Sequence, residues 1–447
     1  MVFNCSQCVF SFGFYGTYLQ YPYQNNITQK THYEYMNEKK NTSYPKEKIN
    51  ILFLENISDS AVRFFKESGY NSVRKITGAL SEEQLMKEVK DVHILGIRSK
   101  SQITANVLDA AKKLQTIGCF CIGVNQVDLK TATHKGIAVF NAPYSNTRSV
   151  AELVIAASIM LIRRIPDKNK AAHEGLWMKD SKGSYELRGK TLGVIGYGNI
   201  GSQVSVLAEA LGMKVIFYDT VTKLPLGNAV AKKTLKDVVS QADVVTLHVP
   251  ETNSTKNMIN KTTLKYFKKG SILLNYARGE VVDLDALRKA ITEGQISGAA
   301  IDVYPWEPEK NGDRFRTPLQ DLPNTILTPH IGGSTEEAQM NIGEDVSNKL
   351  FQYLEMGITI GSHTVPPLTL PPQEGTHRIL HIHNNVPGVL SAINTRLSKN
   401  GINILAQYLK TNEEIGYVVL DVDKKLSAHA FQLLKDIKEA IKVRLLY

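Results

Sequence analysis

From Ile49 onward, apolar residues fall in short runs separated by stretches of mixed polarity. Ile51-Leu-Phe-Leu54, Val92–Ile97, Leu114–Ile117 and Ala138–Phe140 are too short for helices and read as buried strands. Helical segments lie between them, the first over Ser60–Ser68, and strands alternating with helices imply a parallel α/β sheet. A longer helix is expected over Arg148–Arg163, with Ser149 and Glu152 as its capping box. A second strand–helix series runs from Thr191 to about Thr328, and Glu336–Met356 is another helix. Pro366, Pro367, Pro371 and Pro372 mark a linker that continues neither helix nor sheet. Beyond it the order is strand (His377–His383), helix (Gly388–Lys399), strand (Ile402–Leu409), strand (Gly416–Asp421), helix (Ala428–Ala440), strand (Val443–Leu446). That is the ferredoxin-like split βαβ order.

A chain of 447 residues predicts two or three domains. The most apolar helical stretch, Val150–Ile162, is too short to cross a bilayer and carries Glu152, so no membrane association is expected. The net charge of +10 comes from lysines scattered singly or in pairs among acids, with no long basic stripe, so no nucleic-acid partner is expected either. Residues 1–46 are rich in Tyr, Phe, Asn and Gln, show no periodicity, and read as a disordered extension for which Met36 is an alternative start. They lack a signal-peptide pattern and contain no arginine, which argues against secretion and mitochondrial import. The CxxC at Cys5 and Cys8 lies in that tail without βαβ context. Cys119 and Cys121 read as strand residues, and the absence of a disulfide framework fits a reducing, cytoplasmic setting.

Candidate chemistry begins at Gly196-Tyr-Gly-Asn-Ile-Gly201, a GxGxxG between the strand Thr191–Ile195 and a helix running to Leu211. The next strand, Lys214–Tyr218, ends in Asp219, at the spacing of a dinucleotide fingerprint. Gly196 permits the tight turn, Gly198 lets backbone approach a pyrophosphate, and Gly201 lets helix and strand pack closely. Free N–H groups at the helix start bind phosphate, and Asp219 accepts from ribose hydroxyls while repelling a 2′-phosphate. NAD is therefore the expected cofactor.

Three later segments carry catalytic candidates. Arg278 follows the apolar run Ile272–Asn275 and suits a carboxylate, the competing reading being a surface ion pair. Asp302 ends a second strand, with Glu307 among turn prolines beyond it, and His330 follows a third. A lone His is more often structural, but an acid that orients it would raise its pKa and make it a general base.

Taken together, GxGxxG with Asp219, the Asn-x-x-Arg-Gly run at Asn275, the Glu-Pro pair at Glu307 and Thr-Pro-His-Ile-Gly-Gly at Thr328 resemble the D-specific 2-hydroxy-acid dehydrogenases. Gly96-Ile-Arg-Ser99, the run Ile117–Asp128, the run Phe140–Glu152 and the C-terminal unit resemble the serine-inhibited phosphoglycerate dehydrogenase branch, and the likeness covers roughly residues 47–447. The resemblance implies an α/β fold in which a Rossmann NAD domain (146–332) is inserted in a flavodoxin-like substrate domain (47–145 and 333–374), followed by a ferredoxin-like ACT domain (375–447). It implies a catalytic triad of Arg278, Glu307 and His330. Cofactor contacts would come from Asn199, Ile200, Asp219, Tyr276, Ala277, Arg278, Asp302, His330, Ile331, Gly332 and Gly333, besides the three glycines. Substrate contacts would come from Arg98, Ser99, Lys100, Asn146 and Arg148, and serine contacts from His383, Asn385 and Asn403. The implied reaction is oxidation of 3-phosphoglycerate to 3-phosphohydroxypyruvate, with 2-oxoglutarate reduction in some relatives, in a homo-oligomer expected to be a tetramer. Two departures stand out: Lys100 replaces a frequent Arg, giving a point charge instead of a fork, and Tyr276-Ala277 replaces smaller residues before Arg278. A glyoxylate or hydroxypyruvate reductase and a non-catalytic NAD(H)-sensing corepressor remain alternatives on the same scaffold.

Overall fold

The computed structural model describes residues 44–308, 312–373 and 375–447. The reading of the tail, with Cys5, Cys8 and Met36, lies outside the described residues up to position 43. Its last three residues need correction, because Tyr44–Lys46 pack on the body. The Tyr44 ring lies 5.3 Å from His93, and Lys46 pairs with Glu355 at 3.1 Å.

Strands β1 (Ile51–Phe53), β2 (Val73–Lys75), β3 (Ile94–Ile97), β4 (Thr116–Cys119) and β5 (Ala138–Asn141) form a parallel sheet in the order β2-β1-β3-β4-β5. β3, β4 and β5 are buried along their whole length, which explains their mainly apolar sequences; the buried polar residues are Thr116 and Asn141 at strand ends. The helix Glu336–Met356 returns to this sheet after a long excursion of the chain, packing Ile342, Val346 and Leu350 into the core that holds Phe53, Phe120 and Phe140.

The excursion is a second parallel sheet: β6 (Thr191–Ile195), β7 (Lys214–Tyr218), β8 (Val230–Ala231), β9 (Val244–Leu247), β10 (Ser271–Asn275), β11 (Ile296–Ile301) and β12 (Thr325–Leu327). Its order, β12-β11-β10-β9-β6-β7-β8, reverses direction at β6. In open α/β sheets such a switch leaves a crevice beyond the strand ends, where ligands bind. The helix Thr147–Ile162 covers one face of this sheet. Its predicted capping box is absent. The helix begins two residues before Ser149, whose hydroxyl meets that of Thr335 at 2.8 Å, and Glu152 instead pairs with Arg148 one turn away.

The C-terminal sheet is antiparallel: β13 (His377–Asn384), β14 (Ile404–Thr411), β15 (Ile415–Val422) and β16 (Ala440–Leu446), in the order β14-β15-β13-β16. Helices Val389–Lys399 and Ser427–Lys435 cover one face. The second stops short of the expected Ala440, because the chain turns with Ile437 buried and Ala440 donating back to its carbonyl. The opposite face is not solvated. Leu380, Ile382, Tyr417 and Val419 share one core with Phe140, Tyr353 and Leu354 of the first sheet and its returning helix. Fully buried Arg378 makes a two-bond contact to Asp421 (2.7 and 2.9 Å) and donates to the Met356 and Pro371 carbonyls. The proline segment has neither helix nor strand, yet Val365 and Leu370 are buried, so it lies fastened against the body.

Candidate functional site

The loop after β6 is shaped by its glycines. Gly196 adopts φ +91°, and a side chain there would strike the His248 carbonyl at the end of β9. Gly201 lets its helix approach so closely that an added Cβ would fall on the Gly196 carbonyl. Gly198, just before the helix Asn199–Ala210, faces open space. Asp219 follows β7 and braces the loop, accepting from Tyr197 N–H (2.8 Å) and Val221 N–H (2.9 Å). Buried polar atoms without a partner cluster around the same strand ends: Nδ1 of His248, Oδ1 of Asn146 and the hydroxyl of Tyr276. The Asn146 side chain lies against Gly333 and the Tyr276 ring against Gly332. An open glycine cradle at a helix start, a ribose-type acid and unsatisfied polar atoms fit a polar, phosphate-bearing dinucleotide.

The three catalytic candidates come together beyond β10, β11 and β12. Glu307 accepts from Tyr304 N–H at 3.1 Å through Oε1, and its Oε2 lies 2.9 Å from Nδ1 of His330. That hydrogen bond, opposed by burial, raises the His330 pKa above the ordinary imidazole value. Burial pushes the Glu307 carboxyl up, but the bond and charge of His330, with Arg278 nearby, leave it lowered. Both groups keep an open side, with side-chain exposures of 52% for His330 and 36% for Glu307. Arg278 is half-buried, and one guanidinium N–H is spent on the Ala277 carbonyl at 2.7 Å. His330 itself sits at φ +54°, a conformation costing a non-glycine residue about 1–3 kcal/mol.

Asp302 holds that strained turn. It is 2% exposed, and its carboxylate accepts from Thr328 Oγ1 (2.6 Å), Ile331 N–H (2.9 Å) and Gly332 N–H (2.8 Å), while its carbonyl accepts from His330 N–H (2.8 Å). Sequence reasoning named Asp302 as a strand-end and cofactor residue and Thr328 only as the start of a motif, and missed that the two brace this turn. The Thr immediately before Pro-His was the available signal. Tyr276 is 6% exposed and shares a core with Val150 and Val154, with its ring edge against Gly332.

Arg98, Ser99 and Lys100 lie just past β3, half-buried or exposed. Their loop is clamped by Glu55, a buried acid whose carboxylate accepts from the backbone N–H groups of Arg98 (3.2 Å), Lys100 (2.9 Å) and Ser101 (2.8 Å). Gln126 donates to the Arg98 carbonyl at 2.6 Å. Neither residue was singled out from sequence, although an acid directly after a buried strand was a usable sign. Arg148 is exposed and engaged with Glu152 at 2.6 Å.

In the C-terminal unit, His383 is buried and faces His381. Asn385 donates to the Asn412 carbonyl at 2.7 Å, and Asn403 is exposed just before β14. Gly388, at φ +93°, opens the helix Val389–Lys399.

Residues 155–332 match the family described as D-isomer specific 2-hydroxyacid dehydrogenase, NAD binding domain, and residues 379–444 match the AHAS small subunit-like ACT domain. The chain is 49% identical to the D-3-phosphoglycerate dehydrogenase of Haemophilus influenzae over 405 residues, 91% of this chain and 99% of that one. The chain belongs to the D-3-phosphoglycerate dehydrogenase family. Its Dictyostelium discoideum member is 48% identical over 406 residues, 91% of this chain and 99% of that one. Among solved structures, the D-lactate dehydrogenase of Aquifex aeolicus, complexed with NAD and lactic acid, superposes with a TM-score of 0.61 at 28% identity, covering 71% of this chain and all of the other. Membership in the family makes the chain an NAD-dependent oxidoreductase with a C-terminal ACT domain. No described helix is long and apolar enough to cross a membrane.

Proposed function

We propose that this chain catalyses the NAD-dependent oxidation of 3-phospho-D-glycerate to 3-phosphohydroxypyruvate, the entry step of serine synthesis, with Arg278, Glu307 and His330 as its catalytic residues. The observation that carries the reading is the 2.9 Å contact between Nδ1 of His330 and Glu307 at the strand ends, beside Arg278. With Nδ1 taken by the acid, Nε2 of His330 is the atom left for the substrate. It accepts the C2 hydroxyl proton during oxidation and returns it to the oxo group in the reverse direction. Glu307 fixes the ring and stabilises its protonated form, and the remaining Arg278 donors hold the carboxylate and polarise the adjacent carbonyl. The glycine loop, Asn199, Ile200, Asp219, the Tyr276–Ala277 backbone and the Asp302-braced turn through Gly333 would hold NAD. Once bound, NAD supplies the acceptor for the hydrogen that leaves C2 with its electron pair. Arg98, Ser99, Lys100 and Asn146 bind the anionic end of the substrate. Arg148 contributes once released from its exposed pair, an exchange that costs little.

The ACT domain supports feedback control by L-serine at His383, Asn385 and Asn403. Trp177, 89% exposed between exposed Leu176 and Met178, supports a homo-oligomer in which it anchors an interface, and a tetramer is the assembly this reading favours. The absence of a membrane-crossing helix among the described residues is consistent with a cytoplasmic enzyme. The test is NADH oxidation with 3-phosphohydroxypyruvate, 2-oxoglutarate and glyoxylate in parallel, each with and without L-serine. Turnover led by 3-phosphohydroxypyruvate and lowered by serine is expected. Preference for glyoxylate, or no turnover, would replace this reading with the reductase or the NAD(H) sensor.

A further inference from the structure

β13 carries two histidines two residues apart, so both side chains lie on one face of the sheet, the face covered by the helices. His381 and His383 are 0% and 3% exposed, and their Nδ1 atoms are 3.3 Å apart. The other nitrogen of His381, Nε2, lies 3.2 Å from the Leu434 carbonyl oxygen. A carbonyl oxygen only accepts, so Nε2 of His381 carries the hydrogen, and in a neutral ring its Nδ1 is bare. Burial, with His383 as a lesser cause, pushes the His381 pKa down to about 4 and keeps the ring neutral. A bare Nδ1 facing a second Nδ1 needs a donor there, so His383 holds its hydrogen on Nδ1 and leaves Nε2 bare. Gly416, the partner of His383 across β13 and β15, makes room for this placement. An added Cβ would fall on the His383 ring, with Nε2 the nearest atom.

We propose that His381 is a positioning residue that fixes the tautomer of His383, so that the regulatory site presents a bare ring nitrogen and recognises a hydrogen-bond donor of its amino-acid effector, the ammonium or the hydroxyl, and not its carboxylate. The inference rests on the reading of His383 as an effector contact. A bare imidazole nitrogen and a carboxylate are both acceptors and repel. The carboxylate is left to the N–H groups at the start of Val389–Lys399.

The test has two arms, both on the full chain. Solid-state nitrogen-15 NMR of histidine-labelled protein reads the tautomers directly, with His383→Asn and His381→Leu identifying two signals among eleven histidines. His383 should be protonated at Nδ1 and His381 at Nε2. A proton on Nε2 of His383 overturns the proposal. In the second arm, His381→Leu should raise the serine concentration for half-inhibition on the order of tenfold, the scale of one mis-set hydrogen bond, with kcat and KM unchanged without serine. His381→Asn, whose amide oxygen stands where Nδ1 stood, should restore sensitivity. Either L-alanine, lacking the hydroxyl, or 3-hydroxypropionate, lacking the ammonium, should lose inhibition of the unaltered enzyme, and that discrimination should shrink in His381→Leu. Unchanged serine sensitivity in His381→Leu overturns the proposal. If serine does not inhibit the unaltered enzyme, the effector reading and the donor assignment fall together, while the spectra still decide the tautomer.

Discussion

Gly279→Ala tests whether Arg278 and Glu307 are held together by backbone contact. Gly279 is buried directly after Arg278, and an added Cβ would land on the Tyr304 carbonyl group and the Pro305 nitrogen. The two backbones would have to part by roughly 1.5 Å to restore the ~3.5 Å at which carbons pack. Glu307 is tied to that stretch through Tyr304 N–H and carries His330 with it, so the displacement moves both away from Arg278. A misplacement of about 1 Å costs roughly a hundredfold in rate, or about 2.7 kcal/mol of barrier. Overpacking itself costs about 1–3 kcal/mol of stability, which a folded enzyme can absorb. The assay is kcat for 3-phosphohydroxypyruvate reduction, alongside NADH binding by fluorescence and a thermal melt. We expect kcat to fall about a hundredfold with NADH affinity nearly unchanged, because the Gly196–Gly201 cradle is untouched. A folded variant whose kcat lies within about threefold of the unaltered enzyme, short of the loss that misplacement predicts, would refute the argument.

Other expectations follow from the same geometry. Glu307→Gln removes the main cause of the raised His330 pKa, so the ring loses its proton at lower pH. The reduction rate, which needs the protonated ring, should decline at lower pH than in the unaltered enzyme, and an unmoved pH–rate profile would uncouple the pair. Asp219→Ala should weaken NADH binding and relax discrimination against NADPH, as compared by KM for each; an unaltered enzyme already preferring NADPH would contradict the role. Tyr276→Phe removes a buried hydroxyl without a partner, which costs about 1–3 kcal/mol, so the ligand-free melting temperature should rise; a fall would show that the hydroxyl has a partner. Asn403→Ala should weaken serine inhibition while leaving turnover without serine intact, as measured by inhibition curves.

The amino-acid sequence alone determined the elements and the chemistry that lie within a turn or two of one another. GxGxxG between a strand and a helix reads correctly because its requirements are local: a left-handed φ at Gly196, an open Gly198 and the acid at the next strand end. β3, β4 and β5 were legible because full burial leaves short, mainly apolar runs, and the C-terminal unit because its six elements follow in order. What only the tertiary structure decided are pairings between distant segments, where nothing local selects the partner. Ser149 and Glu152 had capping-box spacing, but Thr335 and Arg148 competed for them and won. Glu55 clamps a loop 46 residues away, and Thr328 and Asp302 lock the His330 turn across two strands. His383 shows the same limit within three residues. Its neighbour His381 was visible in the sequence, but the carbonyl that sets both tautomers, on Leu434, was brought there only by folding, because a main-chain carbonyl carries no side-chain identity to read.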